Sequence, residues 1–199
     1  VASGTFVVID EPRAFADVQG HWARDAVSAL ASRRILNGRE ADRFAPGDPV
    51  TRAEFAAMLT AAFGLPAGSG TPGRFADVPA NAWFAGAAEA AAAAGLANGF
   101  ADGAFRPHER ITREQTVALL MRAWRLALPG GAAEAADLGG FADGALVAEW
   151  ARADFGEAVA LGLLQGRPDG RLAPQGEATR AEAAQLVYRL LAQLNWIRS

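Results

Sequence analysis

The sequence predicts an all-α protein made of three helix–loop–helix repeats, and three observations carry that expectation. A set of landmark residues recurs in the same order three times along the 199-residue chain. Within the repeats apolar residues return every fourth position, as in Trp22, Ala26 and Leu30, which is the spacing of one helical face. Each repeat also holds a Thr-Arg phrase in which Thr51, Thr112 and Thr179 precede Glu54, Gln115 and Glu182 by three residues. That is the spacing of a capping box at a helix start.

The repeats come first because they decide how every other signal is read. Each unit opens with Phe-Ala-Asp, ending at Asp17, Asp77 and Asp143, and a tryptophan follows at Trp22, Trp83 and Trp150. Fifteen residues after each tryptophan stands Asn37, Asn98 or Gln165, always followed by a glycine (Gly38, Gly99, Gly166). Fifteen residues further stands Arg52, Arg113 or Arg180. Between them lie Phe44-Ala45-Pro46, Phe105-Arg106-Pro107 and Leu172-Ala173-Pro174. Only the stretch from Phe-Ala-Asp to the tryptophan varies, by single insertions, which points to one fixed three-dimensional unit.

The first helix of each unit is expected at 22–35, 83–95 and 150–162. The alanine-rich AGAAEAAAAAGLANG has high intrinsic helix propensity. Gly95 and Gly162 stand where a left-handed C-cap would close these helices, with Arg34 in the same place in the first unit. Asp102-Gly103 and Asp169-Gly170 are turn signals in the loops. The second helices are expected at 51–63, 112–125 and 179–194, with apolar stripes such as Phe55, Met58, Leu59 and Leu186, Val187, Leu190. One helix pair of this size cannot bury its apolar face alone. The three pairs must therefore pack together, as an open stack or around a shared axis, with the three Thr-Arg helices against one another.

The boundaries follow from composition: an arm or the tail of a preceding domain at 1–13, units at 14–65, 74–127 and 140–199, and linkers at 66–73 and 128–139 rich in Gly, Pro and Ala. The opening GTFVVID reads as a short strand belonging to that preceding domain. The net charge of −3 argues against a nucleic-acid partner. No apolar run approaches the roughly 20 residues that span a bilayer. All 19 basic residues are arginine, and cysteine is absent, which excludes disulfides, thiol nucleophiles and thiolate metal sites.

Catalytic readings find little support. His21 and His108 do not recur between units, and no nucleophile triad or phosphate-binding glycine loop is present. The loop at 101–114 has one aspartate before its glycine, where a calcium loop needs several alternating oxygen ligands. No enzyme activity, metal or cofactor is expected. The arginines are different, because a cation at the first turn opposes the helix dipole. Two readings stay open: pairing of Arg52 with an acid such as Asp48 or Asp17, or an anion held by the guanidinium together with the free amides of the helix start. Trp22, Trp83 and Trp150 could pack or could offer a ring to a sugar face. Trp124 and Trp196 fall outside the repeated slot and are assigned to packing. The three aspartates could cap a turn or accept from hydroxyls.

The combination of F-x-D, a helix-opening W-A, the loop G-x-x-D-G-x-F-x-P and I-T-R-A-E resembles the S-layer homology family, from residue 14 to about 193. The resemblance implies a pseudo-threefold spindle with a central three-helix bundle. It implies a non-catalytic module that anchors exported proteins to the bacterial cell wall by binding a secondary cell-wall polysaccharide, commonly pyruvylated. The module would be a monomeric part of a larger exported protein, with no nucleic-acid or membrane partner. Carried over by position, Arg52, Arg113 and Arg180 would bind the anion in grooves between motifs. Trp22, Trp83 and Trp150 would wall those grooves, Asp17, Asp77 and Asp143 would accept from sugar hydroxyls, and Gly38, Gly99 and Gly166 would let the ligand approach the backbone. Unit one lacks the Asp-Gly turn, unit two has Gln115 for the capping acid, and unit three has Gln165 and Leu172. The third unit is therefore expected to have the weakest site. The competing function is a protein–protein module in which the arginines meet acidic side chains of a surface partner.

Overall fold

The protein is described by a computed structural model covering residues 14–68 and 73–197. The strand expected at GTFVVID lies outside these residues. Among the described residues six α-helices form, besides three single-turn 3-10 helices: α1 Arg24–Ser32, α2 Arg52–Ala62, α3 Ala85–Ala93, α4 Arg113–Ala127, α5 Glu149–Ala160 and α6 Arg180–Gln193. They are the six that the repeats predict. Among the described residues no strand forms, and no helix is long and apolar enough to cross a membrane.

Helices α1 and α3 begin two residues after their tryptophans. No side chain caps either start, and the tryptophan instead sits in a hydrogen-bonded turn, with Arg24 N donating to His21 O (3.0 Å) and Ala85 N to Ala82 O (3.0 Å). At the other end Gly95 and Gly162 take φ values of 72° and 71°. Arg34 adopts the same left-handed conformation at 58°, a strained position for a residue with a Cβ.

Helices α2, α4 and α6 start at full capping boxes. Thr51, Thr112 and Thr179 each accept from the amide three residues on, and the side chains of Glu54, Gln115 and Glu182 reach back to the threonine amides. Gln115 completes its box too, at 3.3 Å against 2.8 and 2.9 Å for the two acids.

Each of these helices touches the other two, and one apolar cluster, including Phe55, Leu59, Leu120, Met121, Val187 and Leu190, runs through all three units. The outer helices pack across unit boundaries: α3 on α2, α5 on α4, and α1 on α6. The third contact joins the first unit to the last, so the arrangement closes on itself instead of forming an open stack.

Main-chain hydrogen bonds follow the same cycle. Val50 N donates to Ala178 O (2.9 Å), Ala178 N to Ile111 O (2.9 Å) and Ile111 N to Val50 O (3.1 Å). The first two amides of each capped helix donate to the loop of the next unit. Arg52 and Ala53 bond Glu109 O and Pro107 O, Arg113 and Glu114 bond Gly176 O and Pro174 O, and Arg180 and Ala181 bond Asp48 O and Pro46 O, all at 2.9–3.0 Å. The helix starts therefore have no free amides to offer an anion, contrary to the expectation that these amides would join the arginine in holding one.

The aspartates hold the loops. Asp17 accepts from the amides of Phe44 and Ala45 (2.8 and 2.6 Å), Asp77 from Phe105 and Arg106 (2.8 and 2.7 Å), and Asp143 from Leu172 and Ala173 (2.7 and 2.8 Å). The second amide of each pair belongs to a left-handed residue directly before proline, with φ of 61°, 58° and 49° at Ala45, Arg106 and Ala173. That conformation is disfavoured both by the Cβ and by the following ring, so each carboxylate pins the strained point of its loop. With one loop amide on each oxygen, these residues serve as clamps of their loops. Burial works against ionisation at Asp17, but the two amides and the nearby Arg43 outweigh it and hold its carboxyl below the ordinary range.

The glycines answer to the same packing. A Cβ on Gly38, Gly99 or Gly166 would lie 2.5, 2.6 or 2.9 Å from the ring of Phe15, Phe75 or Phe141. The side of each glycine where a Cβ would stand is filled by the phenylalanine that opens its unit. Replacing Asp77 with Ala strands two loop amides and should cost about 2 kcal/mol, seen as a fall in melting temperature of about 4–8 °C. An unchanged melting temperature would show that the clamp is dispensable.

Candidate functional site

Two open grooves form where all three units meet. One, of about 240 Å³, is lined by Asn37, Gly38 and Arg39 of the first loop, Glu54 and Met58 of α2, Trp83 of the second unit and Arg180 of the third. The other, of about 290 Å³, is lined by the corresponding Gln165, Gly166 and Arg167, by Glu182 and Leu186 of α6, by Trp22 and by Arg113. Each groove thus takes its loop and helix from one unit, its tryptophan from the next and its arginine from the previous one. Carried around the cycle, the corresponding residues are Asn98, Gly99, Phe100, Gln115, Trp150 and Arg52.

The tryptophans are exposed. Trp22, Trp83 and Trp150 retain 62%, 69% and 58% of their surface in solvent, so the packing reading fails for them. Trp124 is buried and its Nε1 donates to Gly131 O (2.8 Å), as expected of a packing residue, whereas Trp196 is half exposed and rests edge-on against Phe63. His21 accepts the Ala23 amide through Nδ1 (3.1 Å) ahead of α1, and His108 stacks edge-on with Phe84.

Arg113 and Arg180 line the two grooves, and all three arginines are almost fully buried, with Arg52, Arg113 and Arg180 only 6%, 4% and 3% exposed. Neither Asp48 nor Asp17 forms an ion pair with Arg52. Each arginine points into the next unit. Arg113 donates through Nε to Leu172 O (2.6 Å) and pairs with Glu182 (3.0 Å). Arg180 donates to Phe44 O (3.0 Å) and Asn37 O (2.7 Å), and approaches Glu54 at 3.4 Å. Its guanidinium lies 4.6 Å from the centre of the Phe44 ring. Arg52 instead faces Phe100 and Phe105, at 4.9 and 5.3 Å from the ring centres.

This placement corrects the assignment of sites to units. The divergent Gln165 and Leu172 meet Arg113, not Arg180, so the departures of the third unit say nothing about the Arg180 groove. Burial is the main force lowering the affinity of all three guanidiniums for their proton. Glu182 counteracts it at Arg113 and Glu54 at Arg180, while Arg122 adds to it at Arg52.

Sequence reasoning passed over the residue after each repeated glycine. Arg39 pairs with Glu54, and Arg167 holds Glu182 through two hydrogen bonds (3.0 and 3.3 Å). Aligning the repeats one position further, across Arg39, Phe100 and Arg167, would have found them. Gln185 and Arg189 also line the Arg113 groove.

The three units match the model of the S-layer homology domain at residues 14–56, 74–117 and 140–184. The chain belongs to the S-layer homology domain family. Modules of this family anchor proteins to the cell wall and are themselves non-catalytic, which places this chain in a protein of the bacterial cell wall or cell surface. It is 37% identical over 94% of its length to an amylopullulanase of Thermoanaerobacterium thermosulfurigenes, covering 10% of that protein. It is equally 37% identical over 94% of its length to the exoglucanase XynX of Acetivibrio thermocellus, covering 17%. A surface-layer 125 kDa protein of Lysinibacillus sphaericus matches at 30% identity over 87% of the chain and 14% of its own length. The S-layer homology chain thus spans less than a fifth of these relatives.

Glu182 ties this site to pH. Burial opposes its charge, but the Arg167 hydrogen bonds and the field of Arg113 prevail and hold its carboxyl below the usual range. A carboxyl lowered on folding contributes stability above its unfolded value, about 4.3, and loses it as pH falls through the folded one. Glu182→Gln leaves Arg113 buried without its counter-charge and should cost about 3 kcal/mol at neutral pH. Urea unfolding at successive pH values should show the gap to wild type shrinking below about pH 4. A gap independent of pH would show that the loss is one of packing.

Proposed function

We propose that the chain is the wall-anchoring part of a larger exported protein and binds a secondary cell-wall polysaccharide, a pyruvylated one, in the inter-motif grooves. The units at 14–65, 74–127 and 140–199 would be the three motifs, joined by the linkers at 66–73 and 128–139. The observation that carries the reading is the placing of a largely exposed tryptophan, Trp83 or Trp22, at a groove whose floor holds a buried arginine. An indole face suits the apolar face of a sugar ring, while its N–H meets a polar partner. A buried cation below suits an acidic substituent. The arginines lie too deep for the carboxylate of a docking protein surface, which favours a slender ligand over the protein–protein alternative.

Two grooves on one chain can engage a repeating polymer at more than one point, which raises retention well above the affinity of one groove. The test is release from purified wall sacculi. Wild type should be retained, Trp83→Ala should be released at lower salt or competitor concentration, and Trp22→Ala with Trp83→Ala should be released more readily still. Sacculi stripped of the polysaccharide should retain none of these proteins. Equal retention on stripped and intact sacculi would overturn the proposal.

A further inference from the structure

The three loops make the same turn after their prolines, but one slot in it differs. Asp48, Glu109 and Gly176 occupy that slot. Each donates its amide to the carbonyl of the left-handed residue, at 3.2, 3.3 and 3.0 Å, and each carbonyl accepts the first amide of a neighbouring helix. The backbone job is shared, and only the third unit does it without a side chain. In the first unit the Asp48 carboxylate lies 3.8 Å from Arg39, the residue after the repeated glycine. The residue in the place of Arg39 in the third unit is Arg167, and Gly176 gives it no such partner.

Arg167 is left half used. Its Nε and Nη2 hold Glu182 at 3.0 and 3.3 Å, while its Nη1 forms no hydrogen bond among the described residues. That nitrogen stands 3.7 Å from the point where a Cβ on Gly176 would lie. A second hollow opens here, of about 230 Å³, with Leu146, Arg167, Arg171 and Gly176 in its walls. Arg167 also lines the Arg113 groove, so the two spaces meet at this one side chain. The Arg171 guanidinium is exposed and makes no ion pair among the described residues, and Leu146 keeps 67% of its surface in solvent. The hollow is balanced in charge, because Asp143 and Asp169 line it along with the two arginines. Both aspartates accept loop amides.

We propose that this hollow is an additional subsite, taking the neutral sugar that follows the one held in the Arg113 groove. The free edge of Arg167 and the Arg171 guanidinium donate to its hydroxyl and ring oxygens, and Leu146 lies against its apolar face. A balanced set of charges suits a hydroxyl-rich neutral ring better than a second acidic group. The Arg113 groove then engages two consecutive sugars. The Arg180 groove engages one, because Asp48 stands where the hollow would open and occupies Arg39. Gly176 is thus the residue that sets how much chain a site holds. The inference rests on the polysaccharide-binding reading of the grooves and adds the length of chain recognised at one of them.

The test uses one-sugar and longer fragments, separated from a partial hydrolysate of the purified wall polysaccharide, in calorimetric titrations. A Trp83→Ala background weakens the Arg180 groove, so that the Arg113 groove is read. Lengthening the fragment should raise affinity about tenfold, as a hydrogen bond from a charged donor allows. Gly176→Asp, whose carboxylate meets Arg167 as Asp48 meets Arg39, should remove that gain and leave the one-sugar affinity unchanged. Its melting temperature should hold or rise, since the same turn carries an aspartate in the first unit. Arg171→Ala, on an exposed side chain, should remove most of the gain and decides the matter if Gly176→Asp is destabilised. The inference fails if fragment length has no effect, if the gain survives both changes, or if one-sugar binding falls equally. Retention of the unsubstituted chain on sacculi would then leave the wall-binding reading standing. If that chain binds no fragment and is not retained, both fail.

Discussion

A helix leaves the amides of its first turn without partners, and in this protein those of α2, α4 and α6 are satisfied by the neighbouring unit. Each start donates two main-chain hydrogen bonds to the loop of the next unit, around a closed cycle of three. The remaining first-turn amide goes to the unit's own threonine. A unit on its own would therefore lose its helix start as well as its apolar partner. The aspartate clamps and the glycines under the phenylalanine rings follow from the same requirement. The loop must present its carbonyls at one place, and it does so through a left-handed residue that the aspartate holds against its preference.

The arginines add a second set of ties along the same cycle. A guanidinium planted at the first turn opposes the helix dipole, and it reaches instead into the neighbouring loop, where carbonyls and a capping acid receive it. Recurrence of that arginine thus has a structural cause at Arg113 and Arg180 that needs no ligand. Arg52 is the exception, since its partners are aromatic rings and its acid is missing. The repeat that looks most regular in its loop, with an intact Asp-Gly turn and a phenylalanine two residues before the proline, is the one that receives the arginine without an acidic partner.

Much of the chain's local structure was open to reading from residues. Period-four apolar spacing located the six helices, the threonine phrases located three starts to within one residue, and Gly95 and Gly162 located two ends. The starts of α1 and α3 were misplaced by two residues because the tryptophan belongs to a turn without a side-chain cap. The loop-clamping contacts of the aspartates and the ring contacts of the glycines were not legible for a related reason. Their partners, an amide some 28 residues away for Asp17 and Asp77 and an aromatic ring 23–25 residues away for the glycines, leave no mark on local pattern.

The sequence by itself determined that there are three equivalent units, that each is helix–loop–helix, and which residues share a slot, because capping, turn and periodicity signals act over a few neighbouring residues. Only the tertiary structure decided that the units close in a cycle, because the contact of α1 with α6 joins the two ends of the chain. It also decided the composition of the two grooves, each of which draws its tryptophan, its loop and its arginine from three different units. For that reason a departure in one unit alters a site named after another. The charge left over at Arg52 could be recognised only once Gln115 and Phe100 were seen to stand where Glu182 and Arg167 meet Arg113.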